Sequence, residues 1–484
     1  MSEPGRFVVP GRVAVAGAAV SGLAVARALL GRGSRVLVVD ARDDEALRDA
    51  VAPLAAAGAE VRLGDAESPV DADLVVTSPG WRPGQPMLSA AQRAGIEVIG
   101  EPELAWRMRP WRGAAGPAPW VAVTGTNGKT TTVGMVESIL QAAGYRAVAA
   151  GNVGRPLIDV VLDPDPYDVV AVELSSFQLH WSRELAPDVG VVLNIAEDHL
   201  DWHGSMDAYA AAKAAVWRHG GCQPYNADDP LVTRLAEQAN DEPHPFTVGE
   251  PAGGGFGVVD GVIVDAMSGW SPDYEPEPAR RGPGWELVPL AELAVSGPHN
   301  VANAVAAAAS ARVLGLTQEL PWTAVRDGLR AYRPGRHRNE VVGQAGGVTW
   351  VDDSKATNPH AAAASLSAYP SVVWVAGGLL KGADVGPLVA EQAGRLRGVV
   401  LIGRDRAQIA EALARHAADV PVVTVVTEDT AGMDEAVEAA AELAQPGDTV
   451  LLAPAAASMD MFRDYADRGD RYAAAVRRII EHLK

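Results

Sequence analysis

The chain contains one cysteine, Cys222, so it cannot form an intramolecular disulfide. A lone cysteine is more often a small apolar core residue than a catalytic thiol, and such scarcity is typical of a reducing compartment. No apolar run approaches the ~20 residues that a membrane-spanning helix needs, and the N-terminal residues show no basic-then-apolar signal pattern. These absences predict a cytoplasmic protein without a membrane partner.

Basic residues are also in short supply. Lysine and arginine number 41 against 61 aspartates and glutamates, which gives a net charge of −20 at pH 7. A chain of this charge is repelled by nucleic-acid phosphates and by anionic membrane surfaces. We therefore expect no nucleic-acid partner, and any phosphate site must be local. With 484 residues, 48% of them hydrophobic, the chain exceeds one ordinary core and predicts two or three domains.

Short β-rich runs alternate with alanine- and leucine-rich helical stretches, which predicts an α/β fold. Two breaks divide the chain: a linker rich in Pro, Gly and Ala at residues 109–119, and an Arg-Pro-Gly-Arg turn at residues 333–336. We expect three α/β domains, at residues 1–112, 113–333 and 334–484.

Apolar runs within these domains predict individual strands. They lie at residues 12–16, 35–40, 74–78, 121–123, 168–174, 188–195, 341–351, 372–376, 399–402, 422–426 and 449–452. Residues 249–284 are crowded with Gly, Pro and acidic residues and predict a mobile loop or a small β excursion outside the catalytic core.

The strongest motif is TGTNGKTTT at residues 124–132, between a predicted strand and a helix that we expect to stop at Gly144. Glycines let backbone N–H groups turn toward an anion, Lys129 can reach β- and γ-phosphates, and the hydroxyl of Thr130 or Thr131 can hold Mg²⁺. Val123 stands where the general phosphate-loop pattern has glycine. The alternative is a strand-to-helix turn with an incidental lysine, but the coincidence of requirements favours ATP.

Ligands for a metal collect at the carboxyl ends of parallel strands. Glu173 ends one predicted strand and His199 follows the next. Mg²⁺ prefers oxygen ligands, so the residue type of His199 by itself indicates a structural role or an indirect contact with the metal. Lys213 lies on an alanine-rich helix that Ser205 begins and Gly220 ends, and such a lysine is usually a solvated charge.

The first domain carries part of a dinucleotide fingerprint. GAAVSG at residues 17–22, with Ser21 and Gly22 at the helix start, follows a strand, and Asp40 ends the next strand where a ribose-binding acid belongs. A nicotinamide dehydrogenase is therefore one alternative. The middle glycine of the fingerprint is replaced by Ala19, which weakens the case for a close pyrophosphate.

Several strings together resemble the Mur ligase family of peptidoglycan synthesis. They are residues 124–132, ELSSFQL at 173–179, EDH at 197–199, GNVG at 151–154, GPHNVANA at 297–304, GRHR at 335–338, DDSKATN at 352–358 and AGG at 376–378. The resemblance spans nearly the whole chain. It implies two Rossmann-like parallel-sheet domains that flank a central P-loop-type ATPase domain.

Within the family, SKATN at residues 354–358, APAAASMD at 453–460 and RG at 468–469 resemble members that add D-glutamate. The resemblance implies an ATP-dependent ligase that joins D-glutamate to UDP-N-acetylmuramoyl-L-alanine through an acyl phosphate and releases ADP and phosphate. That reaction belongs to peptidoglycan precursor synthesis, and so to cell-wall formation, cell shape and division. We expect a monomer.

The resemblance also assigns roles to residues. It adds Asn300, Asn303, Arg338 and Asp353 to the ATP-binding loop residues Gly125, Thr126, Asn127, Gly128, Lys129, Thr130 and Thr131. For the UDP substrate it adds Ser78, Pro79, Gly80, Asn152 and His199 to Ser21, Gly22 and Asp40. For the amino acid it implies Lys355, Thr357, Lys381, Ser458 and Tyr465.

The implied metal ligands for one or two Mg²⁺ are Thr130, Glu173, His199 and a carbamylated Lys213, and the implied catalytic residues are Lys129, Glu173, His199 and Lys213. Asn300 and Asn303 could instead be helix-start caps. Three other classes stay open: the dehydrogenase, a nucleotide switch or scaffold, and a sibling ligase that uses another amino acid or extends folate with glutamate. The residues alone do not fix the stereochemistry of the amino acid.

Overall fold

The computed structural model describes residues 7–112, 116–239, 243–251, 254–267, 280–281, 284–295, 297–315 and 320–482. These residues form three sheets, numbered here in chain order. The first sheet is wholly parallel and the third is largely parallel, whereas the second is extended by antiparallel strands. Among them, no helix combines the length and the apolar character that crossing a membrane requires.

The first sheet has five parallel strands in the order β3-β2-β1-β4-β5. Its elements are β1 Arg12–Ala16, α1 Val20–Leu30, β2 Arg35–Asp40, α2 Glu45–Ala56, β3 Glu60–Leu63, β4 Leu74–Thr77, α3 Pro86–Arg93, β5 Glu97–Gly100 and α4 Glu101–Arg107. The order reverses between β1 and β4, and ligands of open α/β sheets bind at such a point. Strands β3 and β5 had no counterpart among the predicted strands.

The second sheet has ten strands in the order β14-β15-β13-β12-β11-β10-β9-β6-β8-β7. Its strands are β6 Trp120–Thr124, β7 Ala147–Gly151, β8 Val169–Glu173, β9 Val189–Val192, β10 Gln223–Asn226, β11 Pro243–Phe246, β12 Phe256–Val259, β13 Val262–Asp265, β14 Arg280–Arg281 and β15 Gly284–Pro289. The intervening helices are α5 Lys129–Ala142, α6 Leu157–Val161, α7 Ser176–His180, α8 Leu200–His203, α9 Met206–Ala214, α10 Pro230–Ala239, α11 Pro298–Leu314 and α12 Trp322–Ala331.

Residues 249–284 were predicted to be either a mobile loop or a small β excursion, and strands β12 to β15 decide between the two for part of this segment. The described part of this segment pairs in antiparallel fashion and extends the central sheet, so it is a β excursion. Arg312 anchors it, because its Nε donates to the buried Oδ2 of Asp265 at 3.0 Å. The rest of the segment, residues 252–253, 268–279 and 282–283, lies outside the described residues.

The third sheet has six strands in the order β16-β17-β21-β18-β19-β20. Its elements are β16 Glu340–Ala345, β17 Val348–Asp352, α13 Pro359–Leu366, β18 Val372–Gly377, α14 Gly386–Gln392, β19 Leu396–Ile402, α15 Arg406–His416, β20 Val422–Thr424, α16 Gly432–Leu443, β21 Thr449–Leu452 and α17 Tyr465–His482. One predicted strand is wrong. Residues 341–351 form the antiparallel hairpin β16–β17, because Gly346 and Gly347 turn the chain with φ of +58° and +79°.

The chain divides into two compact units. The first comprises Met1–Ile195, His199–Leu293 and Ala302–Tyr332, and the second comprises Ala196–Asp198, Ala294–Val301 and Arg333–Lys484. One hydrophobic core in the first unit contains residues from both of its sheets, among them Val13, Leu104, Trp120 and Leu157. The predicted domain limits at residues 112 and 333 stay predictions.

Candidate active site

The loop between β6 and α5 carries the predicted nucleotide motif at the start of a helix. Gly125 and Gly128 adopt φ of +156° and +84°, and a Cβ at Gly128 would lie 2.3 Å from the Oδ1 of Asn303. The loop is tied to the end of β9, where the N–H of Asn127 donates to Asn194 Oδ1 at 2.9 Å. Any other residue at position 128 would meet both a left-handed backbone and the Asn303 side chain, so φ and space both favour glycine there.

Two lysines converge on this loop. Lys129 Nζ donates to the carbonyls of Gly125 and Thr126 at 2.8 and 2.9 Å, and Lys213 Nζ donates to the same Gly125 carbonyl at 2.7 Å. Lys213 is only 2% exposed and lies 4.5 Å from the ring centre of Tyr209. The Lys129 ammonium and the N-terminus of α5 make the loop attractive to a polyanion. The sequence interpretation of Lys213 as a solvated charge is wrong.

Helix α9, which carries Lys213, begins as the sequence predicted and ends sooner. The Ser205 side chain accepts a hydrogen bond from the Ala208 N–H, which caps the first turn. The α-helix ends at Ala214 and not near Gly220, because a 3-10 turn at Ala215–Trp217 follows it.

A hydroxyl and a carboxylate meet beside the loop. The Oγ1 of Thr130 donates to Glu173 Oε2 at 2.6 Å, and the Nδ2 of Asn152 donates to Glu173 Oε1 at 2.9 Å. Both Thr130 and Glu173 offer the hard oxygen ligands that Mg²⁺ prefers, so the residues present fit that ion. Of the two candidate threonines, Thr130 is the one whose hydroxyl contacts Glu173.

His199 lies in an aromatic cluster. It takes a left-handed backbone with φ of +54°, and its ring centre is 4.7 Å from that of Phe177. His203 Nε2 is 2.9 Å from the Oγ of Ser176, and burial with the nearby His180, His199 and Lys213 lowers the pKa of His203 to about 4. His203 is therefore neutral at physiological pH.

Next to this cluster is a cavity of about 610 Å³ lined by Arg82, Pro83, Gly84, Gln85, His180, Trp202, His203 and Ala208. Its lining residues lie in the loop between β4 and α3 and in helices α7, α8 and α9. Arg82 and Asp201 form an ion pair of 2.6 Å beside it. The indole Nε1 of Trp202 is buried and has no hydrogen-bond partner. The cavity thus offers an aromatic face and polar donors to a ligand.

The fingerprint turn of the first sheet is closely packed. A Cβ at Gly17 would lie 2.7 Å from Ser78 Oγ, and one at Gly22 would lie 1.8 Å from the Gly17 carbonyl oxygen. Asp40 accepts hydrogen bonds from the N–H of Ala18 and from Arg42. Burial alone would raise the pKa of Asp40, but these hydrogen bonds outweigh it and the pKa is lowered. Its carboxylate therefore stabilises the turn itself.

A second cluster lies at the carboxyl edge of the third sheet. Lys355 Nζ lies 3.8 Å from the ring centre of Tyr465, and Ser458 is buried after β21. Thr357 is half-buried, whereas Lys381 is exposed and has a φ of +56°. Four of the five residues predicted for the amino acid thus lie in loops or helix starts that follow β17 and β21.

Arg468 is a residue whose role the sequence did not reveal. It is fully buried, and its guanidinium donates to Ser354 Oγ, the Ser354 carbonyl and the Ala456 carbonyl at 2.9, 2.8 and 3.0 Å. The Gly377 carbonyl lies 3.5 Å away. Arg468 therefore joins the chain at the ends of β17, β18 and β21. In the sequence, Arg468 was noted only as part of the RG string at residues 468–469.

The remaining predicted nucleotide residues occupy two places. Asn303 is buried in α11, where its Oδ1 accepts a hydrogen bond from Thr132 Oγ1 at 3.3 Å, and Asn300 is buried one turn earlier. Loss of hydration raises the pKa of Asp353 to about 6, while the charge of Arg338 acts to lower it. Asn303 thus contacts the nucleotide-loop helix directly and is more than a helix-start cap.

His337, Glu340 and Asp352 are the one group of His, Cys, Asp or Glu side chains in the described ranges whose ligand atoms all lie within 4.8 Å of one another. Those atoms already have partners in the protein. His337 Nδ1 is 2.7 Å from Asp352 Oδ2, and Glu340 accepts from the His337 N–H at 2.9 Å. We therefore interpret the group as an ion pair that shapes the loop after residue 335.

This ion pair predicts a pH dependence of stability. The hydrogen bond to Asp352 raises the pKa of His337 despite burial, so the pair stabilises the folded protein fully below His337's unfolded pKa of about 6.5 and loses that effect as pH rises through the folded pKa. In urea unfolding, the stability advantage of the wild type over Asp352→Asn should shrink from pH 6 to pH 9. A constant difference across that range would contradict the assignment.

The comparisons with known proteins agree with this geometry. The sequence matches the Mur ligase MurD-like N-terminal domain over residues 11–100, the Mur ligase middle domain over residues 123–311, and the Mur ligase glutamate ligase domain over residues 337–456. The chain belongs to the Mur ligase family, as the sequence strings predicted, and the three-domain α/β class is confirmed.

Its relatives include proteins named UDP-N-acetylmuramoylalanine–D-glutamate ligase. The one from Thermobifida fusca is 55% identical over 96% of this chain and 98% of its own length, and the one from Mycolicibacterium smegmatis is 46% identical over 97% of each. The fold resembles UDP-N-acetylmuramate–alanine ligase MurC of Thermotoga maritima, with a TM-score of 0.58, 18% identity and coverage of 97% of this chain and 99% of that one. MurF ligase from the same organism, solved with ADP, gives a TM-score of 0.57 at 17% identity over 93% and 96%.

Replacing Gly128 by alanine should damage the nucleotide loop. The left-handed backbone costs an L residue about 1–2 kcal/mol, and the Cβ would collide with Asn303. We expect Gly128→Ala to lower stability and to weaken ATP affinity. Gly144→Ala is the matched control, since Gly144 has φ of +88° with open space around it. In urea unfolding, Gly144→Ala should lower the free energy of unfolding by a similar amount. Its dissociation constant for ATP, measured by calorimetry, should be unchanged.

Proposed function

We propose that this protein joins D-glutamate to UDP-N-acetylmuramoyl-L-alanine and cleaves ATP to ADP and phosphate, in peptidoglycan precursor synthesis. The observation that carries the proposal is the convergence of Lys129 and Lys213 on the Gly125 carbonyl, beside the Thr130–Glu173 pair. The names of the relatives supply the substrates. A dehydrogenase would leave the nucleotide loop without a role, and a nucleotide switch would bind ATP without forming an amide.

A free carboxylate is a poor electrophile, and its oxygen is a poor leaving group. Transfer of the γ-phosphoryl group of ATP to the alanyl carboxylate forms an acyl phosphate and leaves ADP. The amine of glutamate then attacks the carbonyl carbon, and phosphate departs with the former carboxylate oxygen. Lys129 places its charge on the β- and γ-phosphates, and the loop amides hold them in line.

Thr130 and Glu173, with His199 and Lys213, would hold one or two Mg²⁺. The ion, when bound, neutralises charge on the phosphoryl group that is transferred. Asn152 fixes the Glu173 carboxylate from the other side, which keeps it directed toward Thr130.

Lys213 would be carbamylated. Burial at 2% exposure favours the neutral amine over the ammonium, and CO₂ reacts with the neutral amine. The product is a carboxylate-like group, which suits a metal ligand better than an ammonium does. The chain bears this lysine next to the loop and the Tyr209 ring, where such a group would orient Mg²⁺ and the γ-phosphate.

The UDP-linked acceptor would extend across the first unit. Ser21, Gly22, Asp40 and residues 78–80 lie at or near the carboxyl edge of the first sheet, and Asn152 and His199 lie after β7 and β9. The cavity of about 610 Å³ lies between the loop that follows β4 and helices α7 to α9, and its volume is in the range of small-molecule sites.

The amino acid would bind in the second unit. A dianionic substrate needs cationic and hydroxyl donors, which Lys355, Thr357, Lys381, Ser458 and Tyr465 supply. Arg468 keeps the supporting loops in place through its bonds to Ser354 and Ala456. Asn300, Asn303, Arg338 and Asp353 would contribute to nucleotide binding. We expect a cytoplasmic monomer without a nucleic-acid or membrane partner.

One experiment tests the reaction. The protein is incubated with ATP, Mg²⁺ and UDP-N-acetylmuramoyl-L-alanine, together with single amino acids including both enantiomers of glutamate, and the products are weighed. We expect a product only with D-glutamate and one phosphate per amide. Product with another amino acid would identify a sibling ligase, and phosphate release without an amide would identify a different ATPase.

A further inference from the structure

A short segment, residues 100–103, connects the two sheets of the first unit. It runs from the end of β5 into α4, and Gly100 pairs in register with Thr77, one residue before Ser78. The segment therefore leaves the first sheet at the edge proposed to bind UDP. Both carboxylates within it, Glu101 and Glu103, are buried, at 3% and 0% exposure.

Glu103 accepts four hydrogen bonds. Its Oε2 accepts from the N–H groups of Arg183 and Leu185 at 2.9 and 3.1 Å. Its Oε1 accepts from the Glu184 N–H at 3.0 Å and from Arg107 Nε at 2.8 Å. Each carboxylate oxygen of Glu103 thus accepts two hydrogen bonds. A glutamine in its place would direct its NH₂ group at N–H groups that also donate, so it could not replace the carboxylate.

Glu101 makes a second connection through one oxygen. Its Oε1 accepts from the Ile158 N–H at 2.7 Å, and the neighbouring Gly100 N–H donates to the Trp181 carbonyl at 3.0 Å. Burial and the nearby Asp159 raise the pKa of Glu101 to about 7. A glutamine can keep the single accepting oxygen here, so the amide is a close substitute for Glu101.

The segments held in this way carry the central part of the proposed substrate site. Ile158 lies shortly after Asn152, whose amide contacts Glu173. Residues 183–185 follow α7, whose last residue, His180, lines the cavity. Each carboxylate of the segment thus ties a stretch of chain that follows a proposed substrate residue to the sheet edge that carries Ser78.

We propose that Glu101 and Glu103 are positioning residues that hold the two halves of the UDP-linked acceptor's site in register. The inference rests on the proposed function, because it takes the acceptor to bridge both sheets. It requires that the affinity for a ligand confined to one half be unaffected when the hydrogen bonds of Glu101 or Glu103 are lost. The affinity for the full acceptor should fall.

Binding of two ligands tests this in the full-length protein. UDP is the probe for the first sheet alone, and UDP-N-acetylmuramoyl-L-alanine is the probe for both halves. In Glu103→Gln and Glu101→Ala, we expect the dissociation constant of the full acceptor to rise about tenfold, which corresponds to ~1.4 kcal/mol. The dissociation constant of UDP and the KM of ATP should change less than about twofold. Glu101→Gln is the conservative control and should behave like the wild type.

The outcomes separate the alternatives. If both ligands weaken equally, or if melting temperatures fall while acceptor affinity holds, the residues are merely structural and the inference is overturned. Equal loss in Glu101→Gln and Glu101→Ala would also overturn it, since the glutamine keeps the accepting oxygen. A wild type that binds UDP but not the acceptor would instead overturn the proposed function.

Discussion

Lys129→Ala should reduce amide formation and the coupled phosphate release by about 10³-fold or more, as expected when a cation that stabilises a transferred phosphoryl group is removed. Its ammonium donates to the Gly125 and Thr126 carbonyls at the start of α5, from where it can reach the β- and γ-phosphates. The measurement is phosphate release with saturating acceptor and D-glutamate. Melting temperature controls for loss of the fold.

Lys381→Ala is the matched control for this variant. It removes an exposed lysine from the proposed amino-acid site in the other compact unit. We expect it to raise the KM of D-glutamate and to leave the KM of ATP unchanged. Activity of Lys129→Ala within tenfold of the wild type would remove this lysine from the phosphoryl-transfer step.

Lys213→Ala and Lys213→Arg should both lower the turnover number by about 10²-fold or more, a loss typical of removing a group that stabilises the transition state. Arginine retains a positive charge but cannot carry a carbamate. The wild type in CO₂-depleted buffer should lose activity and regain it when bicarbonate is added. With ¹³C-bicarbonate, a carbamate carbon signal should appear in the wild type and be missing from Lys213→Arg.

Tyr209→Phe provides the control for the surroundings of Lys213. It keeps the ring beside the lysine and removes only the hydroxyl, which lies 3.0 Å from Thr126 Oγ1. We expect a change of only a few fold, on the scale of one hydrogen bond. Full activity of Lys213→Arg would show that the cation itself, and not a carbamate, is the functional form.

The central nucleotide site could be predicted because its signals are local. The loop motif, the strand before it and the helix after it follow each other within residues 120–143, so composition and spacing determine the turn. The predicted helix begins at Lys129 within the motif, and Gly144, where we expected it to stop, has a left-handed backbone. Metal candidates at the ends of β8 and β9 followed from the same rule for parallel sheets.

The sequence could not predict contacts between distant segments. Glu101 and Glu103 look like solvated charges at a helix start, yet their partners lie 57 and 80 to 82 residues away. Strand β3 was missed because it is half-exposed and carries charged residues, which weakens its apolar pattern. The hairpin β16–β17 was missed because two glycines were read as part of one run.

One signal in the composition would have pointed to Lys213. Only five of the 41 basic residues are lysine, at positions 129, 213, 355, 381 and 484, and four of these lie in the proposed sites. Arginine supplies nearly all of the solvated positive charge. Since arginine keeps its proton at physiological pH whereas lysine can release one, a lysine in such a chain indicates a need for an amine.

Arg468 has a consequence for how the second unit becomes ordered. One guanidinium without a carboxylate among its hydrogen-bond partners bridges the chain after β17, β18 and β21, and burial lowers its pKa to about 9. Movement of any of these loops would remove hydrogen-bond acceptors that offset the cost of burying the guanidinium. The three loops must therefore fold cooperatively, so that the amino-acid pocket is either assembled as a whole or absent.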